Sequence, residues 1–186
     1  MKKRVIVIAL VVISLLLTEE LNTHYFLKKI YPLKYKEYVV YYSSEYGIDP
    51  YLVFAVIKVE SNFNPNAVSS KNAIGLMQIL PETGSWVAKK IGIKNYKEDL
   101  LFDPKYNIQI GTWYLSYLLK TFDGNVQLAV AAYNGGSGNV DNWLKDKRFS
   151  KDGKKLHNVP FPETDRYIKK VLGVYNLYKI LYNHND

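Results

Sequence analysis

The chain has 186 residues, 48% hydrophobic and 23% charged, with 25 Lys+Arg against 17 Asp+Glu and a formal charge of +8. That length supports one core rather than two, and the composition excludes a disordered chain, a collagen-like repeat and a multi-span membrane protein. Cysteine is absent, which excludes disulfides, thiolate metal sites and a cysteine nucleophile.

At the N-terminus, Lys2-Lys3-Arg4 precede an apolar run from Val5 to Leu17, halted by Glu19 and Glu20. At about 1.5 Å per residue the run is shorter than a hydrocarbon core of about 30 Å. A basic start followed by an apolar stretch has the form of an export signal. Leu16-Leu17-Thr18-Glu19 offers no small-residue cleavage pattern, so an uncleaved anchor with a cytoplasmic basic end is favoured over a cleaved leader. Both readings place residues from about 20 onward outside the cytoplasm. The first element of the folded part is predicted at Tyr35 to Tyr46, closing at Gly47. Asp49-Pro50 is a cap followed by proline at the first helical position. It opens a helix through Val53, Phe54 and Ile57 to about Glu60.

Asn62 to Lys71 reads as a polar loop, and Pro81 to Ile91 as a helix stopped by Gly92. Asp103-Pro104 repeats the cap-then-proline signal and opens a long helix to about Phe122. Gly111 inside it costs about 1 kcal/mol against alanine and predicts a close helix contact. Asn125 to Asn134 reads as a short apolar helix ending at Gly135-Gly136, and Lys145 to Pro160 as a basic loop. Thr164 to Tyr182 is the last predicted helix, with Tyr167, Val171, Val174, Tyr175 and Tyr178 on one face. No strand is expected. The pattern is a mainly α-helical domain whose long polar loops frame a cleft.

Few residues are placed for chemistry. His24, His157 and His184 are far apart and lack ligand spacing, so no metal or cofactor is expected. Gly135-Gly136-Ser137-Gly138 follows a helix rather than a strand and lacks the lysine of a phosphate cradle. No nucleophile elbow occurs. The basic charge comes without the basic-aromatic stripes of a nucleic-acid binder, so nucleic acid is not an expected partner. Glu60 stands apart. It ends an apolar helix directly after Val56, Ile57, Lys58 and Val59. Desolvation and a helix C-terminus both disfavour its charged form, which is the condition of a general acid near neutral pH. Taken alone, a surface glutamate closing a helix is the commoner meaning of that position.

The neighbouring motifs change that. Glu60-Ser61-Asn62, Gly75-Leu76-Met77-Gln78, Ala132-Tyr133-Asn134-Gly135-Gly136 and Pro162-Glu163-Thr164-Asp165-Arg166-Tyr167 occur in this order. Together they closely resemble the catalytic domain of the soluble-lytic-transglycosylase (SLT) type, glycoside hydrolase family 23, over about Lys36 to Tyr182. The resemblance implies a lysozyme-like, mainly helical single domain with a glycan-binding cleft, related to goose-type lysozyme. It implies a murein-degrading lyase that cuts the β-1,4 bond between N-acetylmuramic acid and N-acetylglucosamine and leaves 1,6-anhydro-muramic ends. Glu60 then matches the single catalytic acid/base. Ser61, Met77, Gln78, Tyr133, Asn134 and Glu163 match substrate-binding positions. Met77 and Gln78 would line the sugar site, and Ser61 would orient an N-acetyl group. The implied organisation is a signal anchor or signal peptide at 1–20, a juxtamembrane linker at 21–34 and the catalytic domain at 35–183. The implied partners are peptidoglycan glycan strands and, through residues 5–17, a membrane, with a monomer acting in the cell envelope. Two alternatives stay open: a goose-type hydrolase on the same bond, and a non-catalytic glycan-binding component of an envelope machine.

Overall fold

The computed structural model describes residues 23–182. The proposed anchor at 5–17 lies outside the described residues, and among those described no helix is long and apolar enough to cross a membrane. Helix α1 (Lys36–Tyr46) ends at Gly47, whose left-handed φ of 67° lets its amide reach the Ser43 carbonyl. Helix α2 (Pro50–Ser61) starts at Asp49, whose side chain accepts from the Tyr51 amide at 2.8 Å. Every residue from Leu52 to Ile57 is buried, so α2 is apolar all round and runs through the centre of the molecule.

The rest of the chain wraps this helix. Helix α3 (Pro81–Lys90) is followed by a 3-10 turn, Glu98–Phe102, and then by α4 (Pro104–Thr121), capped by Asp103. Helix α5 (Val126–Gly135) is capped by Asn125, and α6 (Ser137–Lys145) follows at once. Helix α7 (Pro162–Tyr182) closes the fold against α2 and α5, while α1 packs on α4. On α7, Tyr167, Val171 and Tyr178 are buried as expected. Val174 and Tyr175 are only half-buried, and the Tyr175 hydroxyl donates to Asp49 at 2.7 Å, tying α7 to the start of α2.

Three elements were not foreseen. Helix α6 restarts the chain after a glycine run that read as an end. Gly136 turns with a φ of 85°, and Val140 and Trp143 then give the new helix a buried face. The turn at Glu98–Phe102 buries a single leucine, Leu101, too little to show a period. Within the stretch read as linker, residues 23–30 are helical. The carbonyls at its end and just after accept from the body: Ile30 from Lys58 at 2.6 Å, Tyr31 from Tyr182 at 2.8 Å and Pro32 from Tyr178 at 3.1 Å. Among the described residues, extended pairing is confined to two isolated bridges, Val68 with Ile74 and Ile74 with Ile79. Gly111 does make a close contact, but its partner is Met77 in the loop after α2 and not a helix.

Candidate active site

The bridged loop between α2 and α3 forms one wall of a cleft. Asn62 and Phe63, both with positive φ, turn the chain sharply away from the end of α2. The loop then folds back so that Gly75 donates to Ala67 at 2.8 Å. Its anchor is Asn107 on α4, fully buried. The Asn107 amide oxygen accepts from the Met77 N–H at 2.8 Å, and its Nδ2 donates to the carbonyls of Ile74 at 2.9 Å and Leu101 at 2.7 Å. A side chain on Gly75 would collide with Asn107 and the Leu101 carbonyl, and one on Gly111 with Met77. Both glycines are therefore demanded by close approach. Gln78 sits at a φ of 48° and donates to Ala67 at 3.1 Å and Gly75 at 3.0 Å.

Opposite this wall stand the end of α5 and the start of α7. The Thr164 hydroxyl donates to the Asn134 side chain at 2.8 Å and joins the two helices. The Tyr133 hydroxyl donates to the Met77 carbonyl at 2.8 Å and so ties the second wall to the first. Between them lies a cleft of about 240 Å³ lined by Glu60, Ser69, Gln78, Tyr133, Asn134 and Glu163, among others.

Glu60 lines this cleft, half-buried at the end of α2. Burial pushes its carboxyl from 4.5 up to about 7, partly offset by a hydrogen bond from Tyr167. That bond is short, with the Tyr167 hydroxyl donating to Oε1 at 2.6 Å. Burial, with the Glu60 charge second, holds both the Tyr133 and the Tyr167 hydroxyls well above the usual tyrosine range. They therefore act near Glu60 as neutral donors. The site combines one carboxyl whose pKa burial raises toward neutrality with a fixed donor for its charged form, which suits a group that gives up and regains a proton.

Of the residues singled out in the sequence, Glu60, Gln78, Tyr133, Asn134 and Glu163 meet at the cleft. Two do not face it with their side chains. Met77 is fully buried beneath Gly111, and its part in the site is the carbonyl that holds Tyr133. The Ser61 hydroxyl donates inward, to the Leu76 carbonyl at 2.8 Å, with the Ile57 carbonyl at 3.2 Å as a second acceptor. Ser61 thus ties the end of α2 to the loop.

Two site residues were missed. Tyr167 was read only as one of the packing residues of α7. Its position in the Pro162–Tyr167 motif, one turn after Glu163, was the available signal. Ser69 lies in a turn with no periodicity. In the structure it lines the cleft, and its oxygen accepts from the Lys71 amide at 3.2 Å and the Ala73 amide at 3.0 Å.

The mainly helical fold, with a half-buried glutamate of raised pKa in an open polar cleft, is of the lysozyme-like class. Residues 37–156 match the family described as "Transglycosylase SLT domain", and the chain belongs to that family. Helix α7, which supplies Glu163 and Tyr167, lies beyond the matched range. The chain is 36% identical over 160 residues to a "Soluble lytic murein transglycosylase" of Salmonella typhimurium, covering 85% of this chain and 24% of that protein. It is 41% identical over 118 residues to a "Membrane-bound lytic murein transglycosylase C" of Edwardsiella ictaluri, covering 58% of this chain and 32% of the relative. Among solved structures, an inactive mutant of the lytic transglycosylase Slt from Pseudomonas aeruginosa superposes with a TM-score of 0.76 at 33% identity, covering 86% of this chain and 26% of that one. The chain thus spans about a quarter to a third of the length of these proteins.

Proposed function

We propose that this chain is a peptidoglycan lytic transglycosylase with Glu60 as its single acid/base. The observation that carries the reading is the half-buried Glu60 carboxyl, raised to about 7 and held by Tyr167 at 2.6 Å inside the cleft. Glu60 donates its proton to the glycosidic oxygen between N-acetylmuramic acid and N-acetylglucosamine, and the C1–O bond breaks. The substrate's own 2-acetamido oxygen supports C1, the substrate-assisted exception among glycosidases. The Glu60 carboxylate, stabilised by the Tyr167 hydroxyl, then removes the proton from the C6 hydroxyl. O6 attacks C1 and closes the 1,6-anhydro ring, so no water enters. Gln78, Asn134, Glu163 and the Ser69 hydroxyl hold the sugars, while Tyr133 packs beside Glu60 and fixes the wall that carries Gln78. In this reading residues 35–183 form the catalytic domain and act outside the cytoplasm, anchored by residues 5–17.

Glu60→Gln should lower turnover at least about 10²–10⁴-fold, because one group serves both proton steps. Mass spectrometry of muropeptides released from purified peptidoglycan reads it; activity within a few-fold of the parent would refute the assignment. A second reading is favoured by one observation: Glu163 lines the same cleft and could activate a water, which would make the enzyme an inverting hydrolase. The same digest separates the two, since anhydro ends are lighter than reducing ends by one water.

A further inference from the structure

A second cavity, of about 600 Å³, opens over α3 and the segment leading into the 3-10 turn. Leu80 lines the cleft that holds Glu60, and the next residue, Pro81, lines this second cavity, so the two flank one another at the start of α3. Trp86 sits in it, ringed by Glu82, Ser85, Lys89, Lys97 and Glu98. We infer that this groove binds a further stretch of the glycan strand, with Trp86 as the stacking platform. The inference rests on the function proposed above.

The position of Trp86 is fixed by other rings. It meets Trp113 edge-on at 5.3 Å, Tyr117 at 5.2 Å and Tyr114 at 6.1 Å. Tyr114 in turn packs at 5.4 Å on Tyr133 in the catalytic cleft. A continuous aromatic chain therefore runs from the reacting centre to the groove. A ring held in this way has little conformational freedom left to lose when a ligand arrives, so its contact area converts efficiently into affinity. Opposite it, Gly84 has no side chain and lets the Tyr96 hydroxyl close against α3, which keeps the wall of the groove compact.

The lining matches a pyranose. Trp86, half-buried in the lining of the groove, offers apolar ring surface to the C–H face of a sugar, and the surrounding side chains offer donors and acceptors to its rim of hydroxyl and acetamido groups. The charges also choose between the parts of the polymer. Glu82 and Glu98 balance Lys89 and Lys97 within the groove, so it exerts little net pull on the carboxylates of stem peptides. An uncharged amino-sugar strand fits better.

The experiment uses the full-length chain and peptide-free murein strands of graded length. Trp86→Ala should raise KM for long strands about tenfold, with kcat falling less than about twofold, and the rise should shrink as strands become too short to leave the cleft. Trp86→Phe should restore most of the loss. The double variant Glu82→Ala/Lys97→Ala, on the exposed rim, should raise KM in the same length-dependent way and guards against Trp86→Ala failing to fold. In a Glu60→Gln background, an N-acetylglucosamine hexasaccharide should bind more tightly than the disaccharide, and Trp86→Ala should erase that advantage. A loss equal for short and long strands, or no length-dependent change in either variant, overturns the inference. If the parent chain releases no murein fragments, the proposed function fails instead, and the titration still reads the groove.

Discussion

The two walls of the cleft are held in different ways. The loop between α2 and α3 is wired into the core: Ile74, Leu76, Met77 and Ile79 are buried, and Asn107 satisfies two of its backbone groups while also holding the Leu101 carbonyl of the 3-10 turn. The other wall is made of helix ends, and the basic loop joining α6 to α7 makes most of its hydrogen bonds within itself, with Leu156 as its buried contact to the core. Within that loop Asp146 pairs with Arg148 at 2.6 Å, and Asp152 accepts from the amides of Lys154 at 2.8 Å and Lys155 at 3.0 Å. Its side chains at Lys151, Lys154 and Lys155 are exposed. A loop that must place ligand-facing groups beside the acid is anchored by buried contacts, whereas a loop that only connects can be self-contained.

The hardest way to break this comparison is at Asn107. Asn107→Ala should destabilise the fold by about 3 kcal/mol, because the Met77 amide and two carbonyls lose their partner in a dry interior. Urea denaturation measures it. A cost below about 1 kcal/mol would mean that the first wall does not depend on this anchor.

Glu60 lies between the walls and links the site to stability. The folded carboxyl keeps its proton up to about pH 7, whereas the unfolded one releases it near 4.5. Between those values the folded state binds more protons, so stability falls as pH rises through the window and levels off above it. Glu60→Gln removes this loss and should stabilise the protein at pH 8 relative to the parent by about 1–3 kcal/mol, with little gain at pH 4. Paired melts at the two pH values test it, and an equal gain at both would show that the carboxyl is not protonated by its burial.

On the second wall, Tyr167→Phe removes the donor that lowers the Glu60 pKa. The alkaline limb of the rate profile should then move upward from about pH 7, and kcat should fall by about tenfold as the carboxylate loses its support. An unmoved profile would reduce Tyr167 to packing. The smallest effect is expected from Lys151→Gln/Lys154→Gln/Lys155→Gln. The Lys154 carbonyl sits beside Asn125, at the start of α5, while Tyr133 is near the other end, roughly 10 Å or more along the helix axis. These charges can therefore act only through long-range attraction. A loss in kcat/KM of no more than about threefold at low salt, vanishing at high salt, is expected. A loss independent of salt would place the loop in the site.

Much of the helical framework was legible because it rests on local chemistry. Asp49-Pro50 and Asp103-Pro104 cap wherever they occur, and Gly47 ends a helix by its own backbone freedom. Glu60 was legible too, since an acid at the end of an apolar helix announces its own desolvation. What the order of residues could not convey is direction. Ser61 and Met77 belong to the right motifs, yet one points its hydroxyl at the Leu76 carbonyl and the other buries its side chain under Gly111. Tyr167 reaches Glu60 across 107 positions of chain, and Asn107 holds a loop 30 positions away. Helix caps and periods are set by neighbours in sequence, and the sequence determined them. Which face of a tyrosine or a methionine meets the cleft is set by the packing of α2 against α7 and of α4 against the bridged loop, and only the tertiary structure decided that.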